Sequence, residues 1–196
     1  MDTGIWLVLA LVLACIWAVV TYNRLRQLHN RVENAYGQID VQLKRRHDLI
    51  PNLVEVARGY MAHEAQTLEA VARARSQAVG AASTAREHPG QAGAMGALAM
   101  AEQALGGSLG RLMALSEAYP ELRADERMQS LAEEIASTEN RIGFARQAYN
   151  DQVLEYNDRS SRFPDLLIAR LLGFAHLQML QATQSSEERL APQVRF

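Results

Sequence analysis

The chain opens with an unbroken apolar run. Residues 5–20 read IWLVLALVLACIWAVV. The hydrophobicity covers the whole helical circumference, whereas a soluble helix keeps one polar face. Thr3, Gly4, Thr21 and Tyr22 extend the run toward the ~20 residues that cross a bilayer, and Trp6 and Tyr22 are placed for its two interfaces. The pattern predicts a transmembrane anchor over 1–21, with Ile5, Trp6, Leu9, Leu13, Trp17 and Val20 in the membrane. A cleaved signal peptide would have a basic stretch before the run and a small-residue cleavage site after it; only Asp2 carries charge ahead of it. Cys15 ends a partial lipobox, but apolar residues continue past it.

From Leu25 the apolar positions step by three and four: Leu28, Val32, Ala35, Ile39, Leu43, then Ile50, Leu53, Val54, Ala57, Tyr60, Leu68, Val71 and Val79. Such steps mark one face of an amphipathic helix. No Gly or Asn cluster separates the anchor from this stripe, so the span is expected to run straight into it. Pro51 removes a backbone donor and must kink or end the helix. The stripe stays in phase on both sides, which favours a kink over a reversal. The HPG sequence at 88–90 reads as a turn. A second helix follows, with Met95, Leu98, Leu105, Leu109 and Leu112 on its face. Gly93, Gly96, Gly106, Gly107 and Gly110 make it a poor helix by itself, and they are expected to allow close approach of its neighbours.

The third amphipathic helix is the most regular. Met128, Ile135, Ile142, Tyr149 and Tyr156 recur every seven residues and form a coiled-coil-like seam. Asp125 and Glu126 suit its positive N-terminal end, and Phe163-Pro164 ends it. Residues 164–183 predict a last amphipathic helix, packed on the bundle, lying at the membrane interface or covering a second subunit. The expected division is an anchor at 1–21, a bundle at 22–163, the amphipathic helix at 164–183 and a loose polar tail at 184–196. The fold class is all-α: a transmembrane helix continuing into an elongated antiparallel bundle of three long helices, or four if the chain reverses at Pro51.

Residues 31–68 read RVENAYGQIDVQLKRRHDLIPNLVEVARGYMAHEAQTL. With the Tyr22-Asn23 pair before them, they closely resemble the LemA family of bacterial membrane proteins. Later blocks agree in order: LGGSLGRL at 105–112, YPEL at 119–122, TENRI at 138–142, then Tyr149-Asn150, Tyr156-Asn157 and Phe163-Pro164. The resemblance covers residues 20–165 and is weakest beyond Ala169. It implies an N-terminally anchored helical bundle with no established activity. Members that look like lipoproteins carry their cysteine just before the Tyr-Asn pair, whereas Cys15 lies seven residues earlier.

Charge narrows the function. Lys plus Arg is 20 against 22 Asp plus Glu, a net charge of -2, which argues against a nucleic-acid partner. One cysteine excludes an intramolecular disulfide and a thiol zinc cluster. His63-Glu64 lacks the second histidine of a zinc helix, and no Glu-x-x-His pair for a di-metal bundle occurs. No cofactor, metal or catalytic group is expected, and the chain is read as a non-enzyme. The KRRHD run at 44–48 is read mainly as solvated charge. Glu33, Arg45, Glu139 and Arg141 are expected in inter-helix polar networks that set helix alignment, because polar groups in a bundle core need partners.

Arg24, Arg26 and Arg31 follow the span closely and no basic side chain precedes it. The positive-inside rule places the bundle in the cytoplasm, at the bacterial inner membrane. The expected partners are the lipid bilayer and further copies of the chain, as a self-associating scaffold. The alternative is a regulatory adaptor that docks another membrane protein or a membrane protease.

Overall fold

One helix carries both the anchor and the first amphipathic stripe: α1 spans Asp2–Tyr60. This computed structural model describes residues 2–180 and is all-α, with no strand among them. The other helices are α2 (Ala65–Glu87), α3 (Ala92–Ser116), the short α4 (Pro120–Ala124), α5 (Glu126–Ser161) and α6 (Asp165–Leu171). The apolar start of α1 is exposed apart from half-buried Trp17 and Ala18. It is the one described helix long and apolar enough to cross a membrane.

The chain does not reverse at Pro51, which lies inside α1. It reverses ten residues later, at 61–64, so the expected three-helix path is corrected to four helices running up, down, up and down. The stripe from Ile50 to Val79 is therefore shared between two antiparallel helices. No Pro marks the break. Met61 is fully buried there, and Glu64 N–H donates to the Met61 carbonyl at 3.0 Å. The second turn falls at 88–90 as its sequence indicates, with Gly90 at φ +80°.

Register along the bundle is set by α1 against α5. Tyr36 meets Tyr149 edge to face at 6.0 Å, and His29 meets Tyr156 at 5.6 Å. Arg45 donates to Glu134, and Tyr60 Oη to Asp125 at 2.9 Å. Asp125 also caps α5, accepting from Arg127 and Met128 N–H at 2.8 and 3.0 Å. Met128, Ile142, Tyr149 and Tyr156 are buried, and Ile135 is half-buried against the core. The glycines of α3 do not serve close approach within the chain. A Cβ added at Gly93, Gly96, Gly106, Gly107 or Gly110 would meet nothing within 4 Å.

The two hairpin helices are too short for the pair they pack on. From Tyr22 to Tyr60 α1 rises about 58 Å, while the 23 residues of α2 rise only about 35 Å. Arg86, at the end of α2, pairs with Asp40, at 2.8 Å. Below that level the stripes of α1 and α5 lack a helical cover. Residues 174–180 supply one. They run extended, and seven residues at about 3.3 Å each cover the missing ~23 Å. Leu177 and Leu180 join Leu28, Val32, Tyr36, Tyr149, Val153 and Tyr156 in one core cluster.

An extended strap has unpaired backbone groups, and α5 side chains satisfy them. Asn157 Nδ2 donates to the Leu177 carbonyl at 2.8 Å, and Leu177 N–H donates to Asn157 Oδ1 at 2.9 Å. Asn150 repeats the arrangement on Leu180 at 3.0 and 2.9 Å. Tyr149 Oη donates to Gln178 O and Tyr156 Oη to Ala175 O. Seven helical residues rise about 10.5 Å, and three extended ones about 10 Å. Hence a Tyr-Asn pair every seven residues matches a strap that moves three. Gln178 N–H also donates to Gly90 O at 2.7 Å, tying the strap to the α2–α3 turn.

The expected helix over 164–183 is corrected by this arrangement. Its helical part is α6 alone, ended by Gly173 at φ +75°. Positive φ suits glycine at a helix C-terminus. Beyond it, side-chain partners on α5 make the extended form the better-satisfied one. Residues 181–183 of that expected helix, and the tail at 184–196, lie outside the described residues. Asn157→Ala removes two hydrogen bonds and strands two backbone groups of buried Leu177. It is expected to lower unfolding stability by about 2–4 kcal/mol in chemical denaturation, with faster amide exchange confined first to 174–180.

Candidate functional site

Two apolar clusters divide the bundle, and a polar layer separates them. One cluster ends near Leu43, Leu98 and Ile142; the other begins near Ile50, Ala78 and Leu105. Between them α1 presents Arg46 and His47, each only 4% exposed. Arg46 Nη2 pairs with Glu102 of α3, and Nη1 with Glu139 of α5. His47 Nε2–H donates to Glu102 Oε1 at 2.8 Å. From α2, Arg75 Nε donates to the His47 carbonyl at 2.5 Å. All four long helices thus meet in one layer.

Pro51 explains the last contact. A proline cannot donate to the carbonyl four residues before it, and that carbonyl belongs to His47. The guanidinium of Arg75 satisfies the oxygen that the proline frees. The helix can therefore pass through Pro51 intact, and the RRHDLIP sequence becomes physically connected: charge layer, freed carbonyl, external donor.

Burial lowers Arg46 to about 10, so it keeps its charge at neutral pH. Burial, then the positive charges of Arg46 and Arg75, push His47 down to about 4. It is neutral at pH 7 and acts as a hydrogen-bond donor. Glu102 is already paired with Arg46, so it accepts from His47 without needing a second cation. Beside the layer a cavity of about 260 Å³ opens between α1, α3 and α5, walled by Ile39, Leu43, Leu98 and Ile142 and reached by Leu180. Its charged groups are matched: Arg46 and Arg146 against Glu102 and Glu139. Among the described residues no group of three or more His, Cys, Asp or Glu side chains could hold a metal.

The expected polar network is brought together only in part. Glu139 joins the layer, but through Arg46 rather than Arg45 or Arg141. Arg45 reaches Glu134 on the bundle surface. Glu33 contacts His29, one turn away on its own helix, at 3.4 Å. Arg141 is exposed and joins no ion pair among the described residues. Reading the 44–48 run as solvated holds for Lys44, Arg45 and Asp48 and fails for Arg46 and His47. A signal was available: Arg46 follows Leu43 by three, and His47 precedes Ile50 by three, which puts both on the apolar stripe. The anchor residues Ile5, Trp6, Leu9, Leu13 and Val20 are exposed, and Trp17 is half-buried.

These features define a membrane-associated four-helix bundle, internally pinned by a buried charge layer and closed by a C-terminal strap. The LemA family profile matches residues 35–196, well past the point where the resemblance weakens to the eye. The chain belongs to the LemA family. It is 25% identical over 186 residues to magnetosome protein MamQ of Magnetospirillum gryphiswaldense, covering 87% of this chain and 68% of the relative. Magnetosome proteins MamQ 1 and MamQ 2 of Paramagnetospirillum magneticum are each 25% identical over 178 residues, 83% of this chain and 65% of theirs. The chain thus spans about two thirds of these relatives' own length.

Two outcomes test the layer. A histidine whose pKa is depressed in the fold favours the unfolded state on protonation. Its stabilisation is complete above the unfolded value of 6.5 and is lost as pH falls toward about 4. Unfolding stability should decline across that window, and His47→Gln should lose that component of the decline, as read by the difference between two denaturation series. Glu102→Leu leaves Arg46 buried beside a single, exposed partner and should cost about 3 kcal/mol. Combining it with Arg46→Met should recover most of that loss.

Proposed function

We propose that this protein is a non-enzymatic, self-associating scaffold at the bacterial inner membrane, anchored by one span with its bundle in the cytoplasm. The carrying observation is an apolar surface on the long helix pair. Phe144 of α5 is 75% exposed and Val41 of α1 is 59% exposed. Both lie between the Tyr36–Tyr149 and Arg45–Glu134 levels, so they stand at one height on adjacent helices. Contiguous exposed apolar patches mark association sites, whereas single exposed apolar residues are ordinary, and we read Phe144 and Val41 as one surface across the two helices. Parallel anchors in one bilayer would bring such surfaces side by side.

The ion pairs of Arg46 with Glu102 and Glu139 and the hydrogen bonds from Asn150 and Asn157 to the strap support a structural role, because they join elements of the bundle to one another. The orientation rests on Arg24, Arg26 and Arg31 following the span. The test is the mass of the full-length protein in mild detergent. A discrete assembly many times the 21.8 kDa chain is expected. Phe144→Glu should return it to single chains while leaving the thermal unfolding midpoint unchanged. A wild-type monomer that co-purifies with one other membrane protein would overturn the scaffold and favour the adaptor.

A further inference from the structure

We propose that the elbow at 163–172 is a membrane foot, which lays Phe163, Leu167, Leu171 and Leu172 into the interfacial layer of the bilayer that α1 crosses. The proposal rests on the reading of α1 as a membrane span. Phe163 is 80% exposed and Leu171 78%, with Leu167 and Leu172 more than half exposed. Elsewhere along the bundle the large exposed apolar side chains are spread out in the sequence, at Val41, Tyr60, Val79, Met100, Phe144 and Leu154. In the elbow they are gathered within ten residues.

Their position on α1 identifies the occupant. Thr21 Oγ1 donates to Asp165 Oδ1 at 3.3 Å, at the start of α6. Just past its end, Phe174 packs edge to face on Tyr22 at 5.8 Å. Both ends of the elbow's helix are therefore fixed at the level where the apolar run stops. The sixteen residues at 5–20 rise about 24 Å, against a hydrocarbon core of about 30 Å. The shortfall is about two residues at each end, which puts Thr21 and Tyr22 at the hydrocarbon boundary. A segment held to those residues lies in the interface, where an amphipathic element buries its apolar side 5–10 Å deep.

The charges agree with that placement. Asp165 is 3% exposed, and its carboxylate is met by Arg159 Nε at 2.5 Å, an ion pair without hydrogen-bond alignment. No free carboxylate therefore sits under the apolar side chains. Arg24, Arg26 and Arg170 are exposed at the same end and make no ion pair among the described residues. They are suited to anionic headgroups, toward which long basic side chains extend from a membrane boundary.

The experiment uses the full-length chain in vesicles of phosphatidylcholine and phosphatidylglycerol. With Cys15→Ser as background, Leu171→Cys, Leu13→Cys and Met100→Cys are each labelled with an environment-sensitive fluorophore. Spin-labelled lipids then quench from a shallow or a deep acyl position. The Leu171 probe should be blue-shifted and lose more emission to the shallow label. The Leu13 probe should lose more to the deep label, and Met100, on exposed α3, to neither. A Leu171 probe that behaves like Met100 while Leu13 is quenched overturns the foot and leaves the anchor standing. An unquenched Leu13 probe overturns the span and the foot with it. A blue-shifted Leu171 probe that lipid does not quench, and that relaxes when the protein is diluted in lipid, assigns the surface to a second copy and also overturns the foot.

Discussion

A helical bundle must cover each apolar stripe along its whole length, and in this chain the α2–α3 hairpin falls short of the α1–α5 pair. The uncovered part lies at the end of the bundle next to the apolar run of α1. The strap answers that mismatch with chain economy, since an extended residue advances more than twice as far as a helical one. Its difficulty is an unpaired backbone, and buried backbone groups are costly when left alone. The Asn150 and Asn157 amides, spaced one heptad apart, remove that cost. Burial pushes the Tyr149 hydroxyl up, so it stays protonated and serves as a fixed donor to the strap.

The charge layer lines the same cavity that Leu180, at the end of the strap, reaches. Apolar packing alone is tolerant of sliding by a turn. A buried arginine that must meet carboxylates from two other helices is not. Replacing such a pair by apolar residues is often neutral in stability, whereas losing one member is severe. The layer joins α1, α3 and α5 at one height. Arg75 adds α2 to the same level through the carbonyl that Pro51 frees. From that level to the membrane end, Arg46–Glu139, Tyr36–Tyr149 and His29–Tyr156 keep one antiparallel register between α1 and α5.

Both outward surfaces follow from this internal pinning. The buried charges of the layer pair within the chain, and the large exposed apolar side chains lie outside it. Phe144 and Val41 stand on the flank of the long pair, and the elbow stands at its membrane end. A rigid α1 that passes from bilayer to bundle without a joint would hold both at fixed heights above the membrane. Fixed height and a common anchor direction reduce what lateral association must lose in freedom of motion.

Periodicity in the sequence determined much of this molecule by itself. The apolar run, the stripe of α1, the turn at 88–90, the acidic start of α5 and its heptad seam are all local; helix geometry converts spacing into a face, and turn residues mark the break. The Tyr149 and Tyr156 seam was visible on the same grounds, but its partner was not. Only the tertiary structure decided where the first long stripe folds back, at 61–64, where Met61 is buried in the core and no Pro marks the break. It also decided which carboxylates Arg46 and His47 meet, because those partners lie 55 to 93 residues away in the sequence. The segment after Gly173 reads as helix from its composition. It is extended because asparagines on another helix satisfy its backbone, and a hydrogen bond offered from so far along the chain leaves no trace in local pattern.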